Sequence, residues 1–154
     1  MVNLKKHLTN SPVQTKGIGR GLAQKVLRKK LSKKAQVLAL KGDLGSGKTT
    51  FLQGFARGLG VREKILSPTF VILKKFRVKN SKFKFFYHID CYRILKPKEI
   101  SDLGFKEIIS DPGNIVAVEW AERVKKILPK NSLVLKFEFI DKSKRKIEVK
   151  CNND

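Results

Sequence analysis

Gly42, Gly47, Lys48 and Thr49 stand at the offsets G-x-x-x-x-G-K-T inside GDLGSGKTT, residues 42–50. These residue types at this spacing suit phosphate chemistry. Glycines let successive backbone N–H groups turn inward on an anion, a lysine reaches the β- and γ-phosphates, and a threonine hydroxyl ligates Mg²⁺. The candidate nucleotide contacts are therefore Gly42, Asp43, Leu44, Gly45, Ser46, Gly47, Lys48, Thr49 and Thr50. Such a loop hydrolyses nothing alone; it needs a carboxylate for the metal and a group that positions water. Two carboxylates end apolar runs: Glu119, after Ile115, Val116, Ala117 and Val118, and Asp90, two residues beyond His88 and hence on the same pleat face. Carboxylates at strand ends are often only solvated, so position alone makes both of them candidates and no more. The guanine-reading pattern N-K-x-D is absent from the sequence, which leaves adenine as the expected base.

The flanking segments suit the loop. Val37, Leu38, Ala39 and Leu40 precede it as a short apolar run, the mark of a buried parallel strand. Phe51, Leu52, Phe55, Ala56 and Leu59 follow it at helical spacing, with Gly58 and Gly60 as stop signals. Upstream, Ile18, Leu22 and Val26 predict a helix over about 11–30 that starts at Ser11 and Pro12. Downstream, two β-rich runs flank Lys79, Asn80 and Ser81, predicting a hairpin within 67–93. In its second run Phe83, Phe85, Tyr87 and Ile89 alternate with Lys82, Lys84, Phe86 and His88, which predicts a half-buried antiparallel strand. Pro97 to Ser110 reads as a helix starting at Pro97, whose apolar stripe of Ile100, Leu103 and Ile108 is interrupted by Gly104, 114–120 as a second buried strand, and Ala121 to Leu128 as a short helix. LVLKFEFI and RKIEVKC read as a closing hairpin over 132–151 around a charged turn, Asp141 to Lys144. The expectation is one α/β P-loop NTPase domain over residues 1–154, whose mixed sheet of parallel core strands and antiparallel hairpins is flanked by helices.

Composition bounds the partners. Thirty-five Lys plus Arg against 13 Asp plus Glu give a formal charge of +22, which favours polyanions, with nucleic acid the obvious class. The basic residues are 27 lysines and eight arginines, spread over nearly every segment rather than gathered in a stripe. No run of eighteen apolar residues occurs, and the first residues lack a signal-peptide core, so a soluble cytoplasmic protein without a membrane partner is expected. Cys91 and Cys151 are unpaired by motif, and His7 and His88 are isolated, so neither a disulfide framework nor a zinc site is expected.

GDLGSGKTT, SPTF at 67–70, HIDCYR at 88–93 and VEW at 118–120 follow one another in the order and spacing of the TsaE (YjeE) family. An N-terminal T-x-x-I-G-x-x-L-A at Thr15 to Ala23 belongs to the same pattern, and the resemblance spans roughly Thr15 to Arg145. It implies a bacterial ATPase, using ATP and Mg²⁺, that is needed to form N6-threonylcarbamoyladenosine beside the anticodon of tRNA. Such an ATPase acts with the transferase TsaD and its paralogue TsaB and does not itself move the threonylcarbamoyl group. Carried over residue by residue, the resemblance implies Lys48 for phosphate, Thr49 and Glu119 for Mg²⁺, and Asp90 for metal or water. Thr15 and Arg145 join the nucleotide contacts, Thr69 becomes a switch residue near the γ-phosphate, and His88, Tyr92, Arg93 and Trp120 face the switch or partner. The sequence departs from the pattern in two places: Lys144 precedes Arg145 where relatives tend to carry a Gly-Arg pair, and Ser46 replaces a common alanine.

Two other classes compete with this reading. A small-molecule kinase would need an Arg-rich lid, and no compact arginine cluster is visible in the sequence. A basic RNA-binding P-loop module could stack bases on Phe83, Phe85 and Phe86 among their lysines, although the alternation favours Phe83 and Phe85 as core.

Overall fold

The computed structural model describes residues 2–66 and 72–152. Among these residues seven strands form one sheet in the order β1-β7-β6-β2-β5-β4-β3. The strands are β1 (Val2–Thr9), β2 (Gln36–Lys41), β3 (Leu73–Arg77), β4 (Phe85–Asp90), β5 (Asn114–Glu119), β6 (Leu133–Phe139) and β7 (Arg145–Asn152). β2, β4, β5 and β6 run parallel, whereas β1, β3 and β7 are antiparallel to their neighbours. The sheet is therefore mixed, with a parallel centre and antiparallel margins.

The alternation of side chains along each strand divides the core into two layers. On one face Leu38, Leu40, Phe86, Ile115, Ala117, Leu135 and Ile147 pack beneath α1 (Pro12–Arg28) and α2 (Lys48–Gly58). On the other, Val37, Ala39, Ile89, Val116 and Val118 pack beneath α3 (Lys98–Ser101), α4 (Phe105–Ser110) and a 3-10 segment, Ala121–Ile127. Ser11 caps α1 by accepting from the Gln14 N–H, and Pro12 occupies the first turn, where no N–H is needed.

α1 and α2 meet along a seam of small residues. A Cβ on Gly54 would lie 2.0 Å from the Lys16 carbonyl oxygen, and one on Gly19 would lie 2.2 Å from that of Phe51. Glycine is what lets the two backbones approach this closely. That approach sets the start of α1 beside the start of α2, where the loop of residues 42–47 ends.

The structure departs from the sequence reading in four places. Residues 2–9 form β1, antiparallel to β7, where no element was expected. The helix expected over 97–110 is two short helices, because Gly104 adopts φ 87°; Leu103 is consequently exposed and Phe105 buried. β4 is antiparallel to β3 but parallel to β5, so it lies inside the sheet, and Phe86 and His88 are buried rather than solvated. The apolar run after β5 continues as 3-10 rather than α-helix, entered through Trp120 at φ 57°.

Candidate nucleotide site

The loop between β2 and α2 wraps a cavity of about 300 Å³. Leu44 to Thr50 line it together with Thr15, Glu119, Trp120 and Arg145. Gly45 at φ 77° and Gly47 at φ 103° supply the left-handed turns that fold the loop over. Gly47 is also the N-cap of α2 and gives no side-chain cap, so the first N–H groups of this 11-residue helix remain available at the cavity.

Lys48 is buried at its base. Its Nζ donates to the Gly42 carbonyl at 2.5 Å, the Asp43 carbonyl at 2.9 Å and Ser46 Oγ at 3.3 Å. Burial pushes the ammonium below the ordinary lysine range, opposed by Glu119, Glu122, Asp90 and Asp43. The Trp120 ring closes one side, with Lys48 Nζ 4.3 Å from its centroid. Tyr92 packs on that ring at 5.1 Å between centroids, and the Arg123 guanidinium lies over both.

Glu119 divides its carboxylate between two partners. Thr49 Oγ1 donates to Oε1 at 3.1 Å, and His88 Nε2 meets Oε2 at 2.5 Å, the histidine and carboxylate both nearly sealed from water. The parallel register that pairs Asp90 with Glu119 brings HIDCYR and VEW side by side. Asp90 Oδ1 accepts the Tyr92 N–H at 2.9 Å, and burial raises its carboxyl above the usual range, with Glu119 adding to the rise.

Thr15 is buried, and its hydroxyl bonds to that of Thr9 at 2.8 Å. Arg145 ties the last hairpin to the loop: its Nε donates to the Gly45 carbonyl at 3.2 Å, and its Nη1 donates to the carbonyls of Asp141 and Lys144. Ser11, Pro12, Lys142 and Ser143 also line the cavity and were not among the sequence candidates. Their signal was present, since Ser11-Pro12 reads as a helix start and 141–144 as a turn, but nothing in either marks a ligand. Gly42, Asp43, Asp90, His88, Tyr92 and Arg93 are not part of the cavity lining; the last two are exposed beside it. SPTF and its Thr69 lie outside the described residues.

Hard oxygen donors, Thr49 Oγ1 and Glu119 Oε1, thus sit next to a buried lysine and a free helix N-terminus. That donor set fits Mg²⁺, which takes few protein oxygens and fills its octahedron with water and phosphate. Among the described residues no cluster of three or more His, Cys, Asp or Glu is arranged to hold a metal ion, and no helix is long and apolar enough to cross a membrane.

The family described as "Threonylcarbamoyl adenosine biosynthesis protein TsaE" matches residues 9–147. The chain belongs to the TsaE family. A "tRNA threonylcarbamoyladenosine biosynthesis protein TsaE" of Rickettsia typhi is 34% identical over 96% of this chain and 95% of its own. The Bacillus subtilis protein of that name is 40% identical over 83% of this chain and 73% of its own. The crystal structure of Bacillus subtilis YdiB superimposes with a TM-score of 0.74 at 33% identity, covering 99% of this chain and 88% of that one. TsaE membership accounts for the co-occurrence of the loop, HIDCYR and VEW, which the sheet register brings to one end of the parallel strands.

Proposed function

We propose that this TsaE-family chain is a Mg²⁺-dependent ATPase that supports tRNA N6-threonylcarbamoyladenosine formation, acting in the cytoplasm on a TsaD–TsaB transferase complex. The observation that carries the reading is the convergence of Lys48, the uncapped start of α2 and the Thr49–Glu119 pair on one cavity. Buried donors aimed at a single cavity favour a phosphorylated ligand over a solvated turn.

In this reading the loop N–H groups and Lys48 Nζ hold the phosphates and stabilise the charge that develops when water attacks the γ-phosphate in line. Lys48 exchanges its bonds to the Gly42 and Asp43 carbonyls for phosphate oxygens, which offsets the burial of its charge. Thr49 and Glu119 would hold Mg²⁺, which would supply charge neutralisation to the phosphates. His88 keeps Glu119 in place, and Asp90, adjacent in register, would assist in holding the metal or orient the attacking water. Arg145 lines the cavity but spends its guanidinium on the Gly45, Asp141 and Lys144 carbonyls, and Arg123 packs over Tyr92 and Trp120, so in this reading turnover is slow alone and rises with the partner.

Fully buried Phe83 and Phe86 cannot stack bases, which weakens the RNA-module alternative. The deciding experiment is multiple-turnover threonylcarbamoylation of tRNA by TsaD, TsaB and the adenylate-forming enzyme with ATP. Adding this chain should convert a single round into sustained turnover, and Lys48→Ala should not. Turnover indifferent to the chain overturns the reading.

A further inference from the structure

We propose that the groove between α1 and the β1–β7 pair is a second anion site, separate from the P-loop, that binds a phosphate group through Lys5, His7 and Lys25. The antiparallel register sets Lys5 opposite Val149 and His7 opposite Ile147. Val149 and Ile147 face α1, so Lys5 and His7 turn toward the helix, while Leu4, Lys6 and Leu8 take the opposite face. Lys25 leans in from α1 and lines the same cavity as Lys5 and His7. Together they rim a cavity of about 210 Å³ floored by Gly17, Gly21 and Leu22.

Three features make this groove suited to an anion. Its described lining contains no carboxylate, so the two ammonium groups and the imidazole converge without a counter-charge. An anion between them converts their mutual repulsion into shared attraction. Gly17 and Gly21 lie one helical turn apart, and nothing stands within 4 Å of where their Cβ atoms would be, so a ligand can approach the helix closely. The imidazole is only partly exposed and lines the cavity, to which its neutral form brings one N–H donor. The groups facing His7 are Lys5 on its own strand and Lys25 on α1, with Cys151 of β7 near Lys25. Burial, Lys25 and then Lys5 hold the imidazole below its ordinary range, the direction a bound anion would reverse.

The groove is distinct from the nucleotide cavity, which takes only Ser11, Pro12 and Thr15 from the first turns of α1. The same chemistry fits a free phosphate or the phosphodiester of an RNA strand, and the +22 charge of the chain would draw the latter to the surface.

The test is an NMR titration of the imidazole signals of the full chain at constant ionic strength. Inorganic phosphate is added in one arm and a short unstructured RNA oligonucleotide in the other, each repeated with a Lys5→Gln/Lys25→Gln double variant. The expected result is a saturable shift of the His7 signal that weakens at least tenfold in the double variant. Half-saturation by RNA at concentrations at least tenfold below those of phosphate would assign the site to a nucleic-acid backbone, and the reverse order to a free phosphate. Absence of a saturable His7 shift in both arms, or a shift unchanged in the double variant, overturns the proposal. Because Lys5 and Lys25 lie outside the nucleotide cavity, the double variant retains ATP-dependent turnover, and failure here is separable from failure of the ATPase reading.

Discussion

Four glycines on α1 and α2 make opposite predictions about the same substitution. A methyl group on Gly54 would lie 2.0 Å from the Lys16 carbonyl oxygen and 2.6 Å from its carbonyl carbon and Cα, all backbone atoms that no rotamer change can move. Ordinary contact needs more than 3 Å, so the helices would have to separate by about 1 Å or more along a packed seam. Overpacking of this kind costs roughly 1–3 kcal/mol or more, against a helix-propensity gain of about 1 kcal/mol for Gly→Ala. Gly54→Ala, and likewise Gly19→Ala at 2.2 Å from the Phe51 carbonyl oxygen, should therefore be destabilising by up to roughly 2 kcal/mol, a Tm lower by about 2–8 °C in a domain of this size. Gly17 and Gly21 meet nothing within 4 Å, so their Ala variants keep the propensity gain and should raise Tm by about 1–4 °C. The assay is thermal unfolding of the four single variants followed by circular dichroism, with urea titration to compare m values. Equal shifts for Gly54→Ala and Gly17→Ala would refute the argument that backbone contact between α1 and α2 sets the seam.

Further expectations concern the site and its surroundings. His88→Ala should raise the Mg²⁺ concentration for half-maximal ATP hydrolysis by about 10–100-fold, because Glu119 loses the partner on Oε2; an unchanged Mg²⁺ dependence contradicts that role. Arg145→Ala frees the Gly45 carbonyl and should weaken ATP binding by roughly tenfold in calorimetry without changing Mg²⁺ dependence, and equal affinity would remove Arg145 from the nucleotide contacts. Burial, with Asp90 next, pushes the Cys91 thiol from 9.0 up to about 12, so at pH 8 a maleimide should label Cys151 at least about a hundredfold faster than Cys91. The same shift fixes a sign: the unfolded thiol releases its proton before the folded one, so this group lowers stability as pH rises from 9.0 to about 12, and Cys91→Ala should flatten that decline in alkaline denaturation curves.

The local motifs were legible because their chemistry is local. GDLGSGKTT needs particular glycines, and Val37 to Leu40 is apolar on both faces because both faces are covered. β1 was not legible: its outward positions carry Leu4 and Leu8, its inward ones Lys5 and His7, so the alternation is inverted and only the partner β7, more than a hundred residues away, makes it a strand. β4 was misread for a related reason. Phe86 and His88 look like the wet face of a hairpin until β5 is placed beside them, and no property of residues 82–90 announces a parallel neighbour. The helix break at Gly104 had its glycine in view, but a positive φ there is chosen by the burial of Ile100 and Phe105 on either side.

The carboxylate end of the sheet shows how that non-local register makes chemistry. Asp90 and Glu119 are partners on parallel neighbouring strands, so their side chains leave the sheet on the same face, that of α2. Alternation adds His88 to that face two residues before Asp90. Two carboxylates held this close repel, and the rise in the Asp90 carboxyl reflects that repulsion in addition to burial. A fold that needed Asp90 only for stability would do better with an asparagine there, which keeps an oxygen for the Tyr92 N–H without burying a second charge beside Glu119. Under the proposed ATPase reading a divalent cation held at this end would turn that repulsion into attraction, the two carboxylates offsetting its charge and the Thr49 hydroxyl offering a neutral oxygen. The cost in the free chain and the gain proposed for the metal-bound form would then have one origin, the in-register pairing of HIDCYR with VEW.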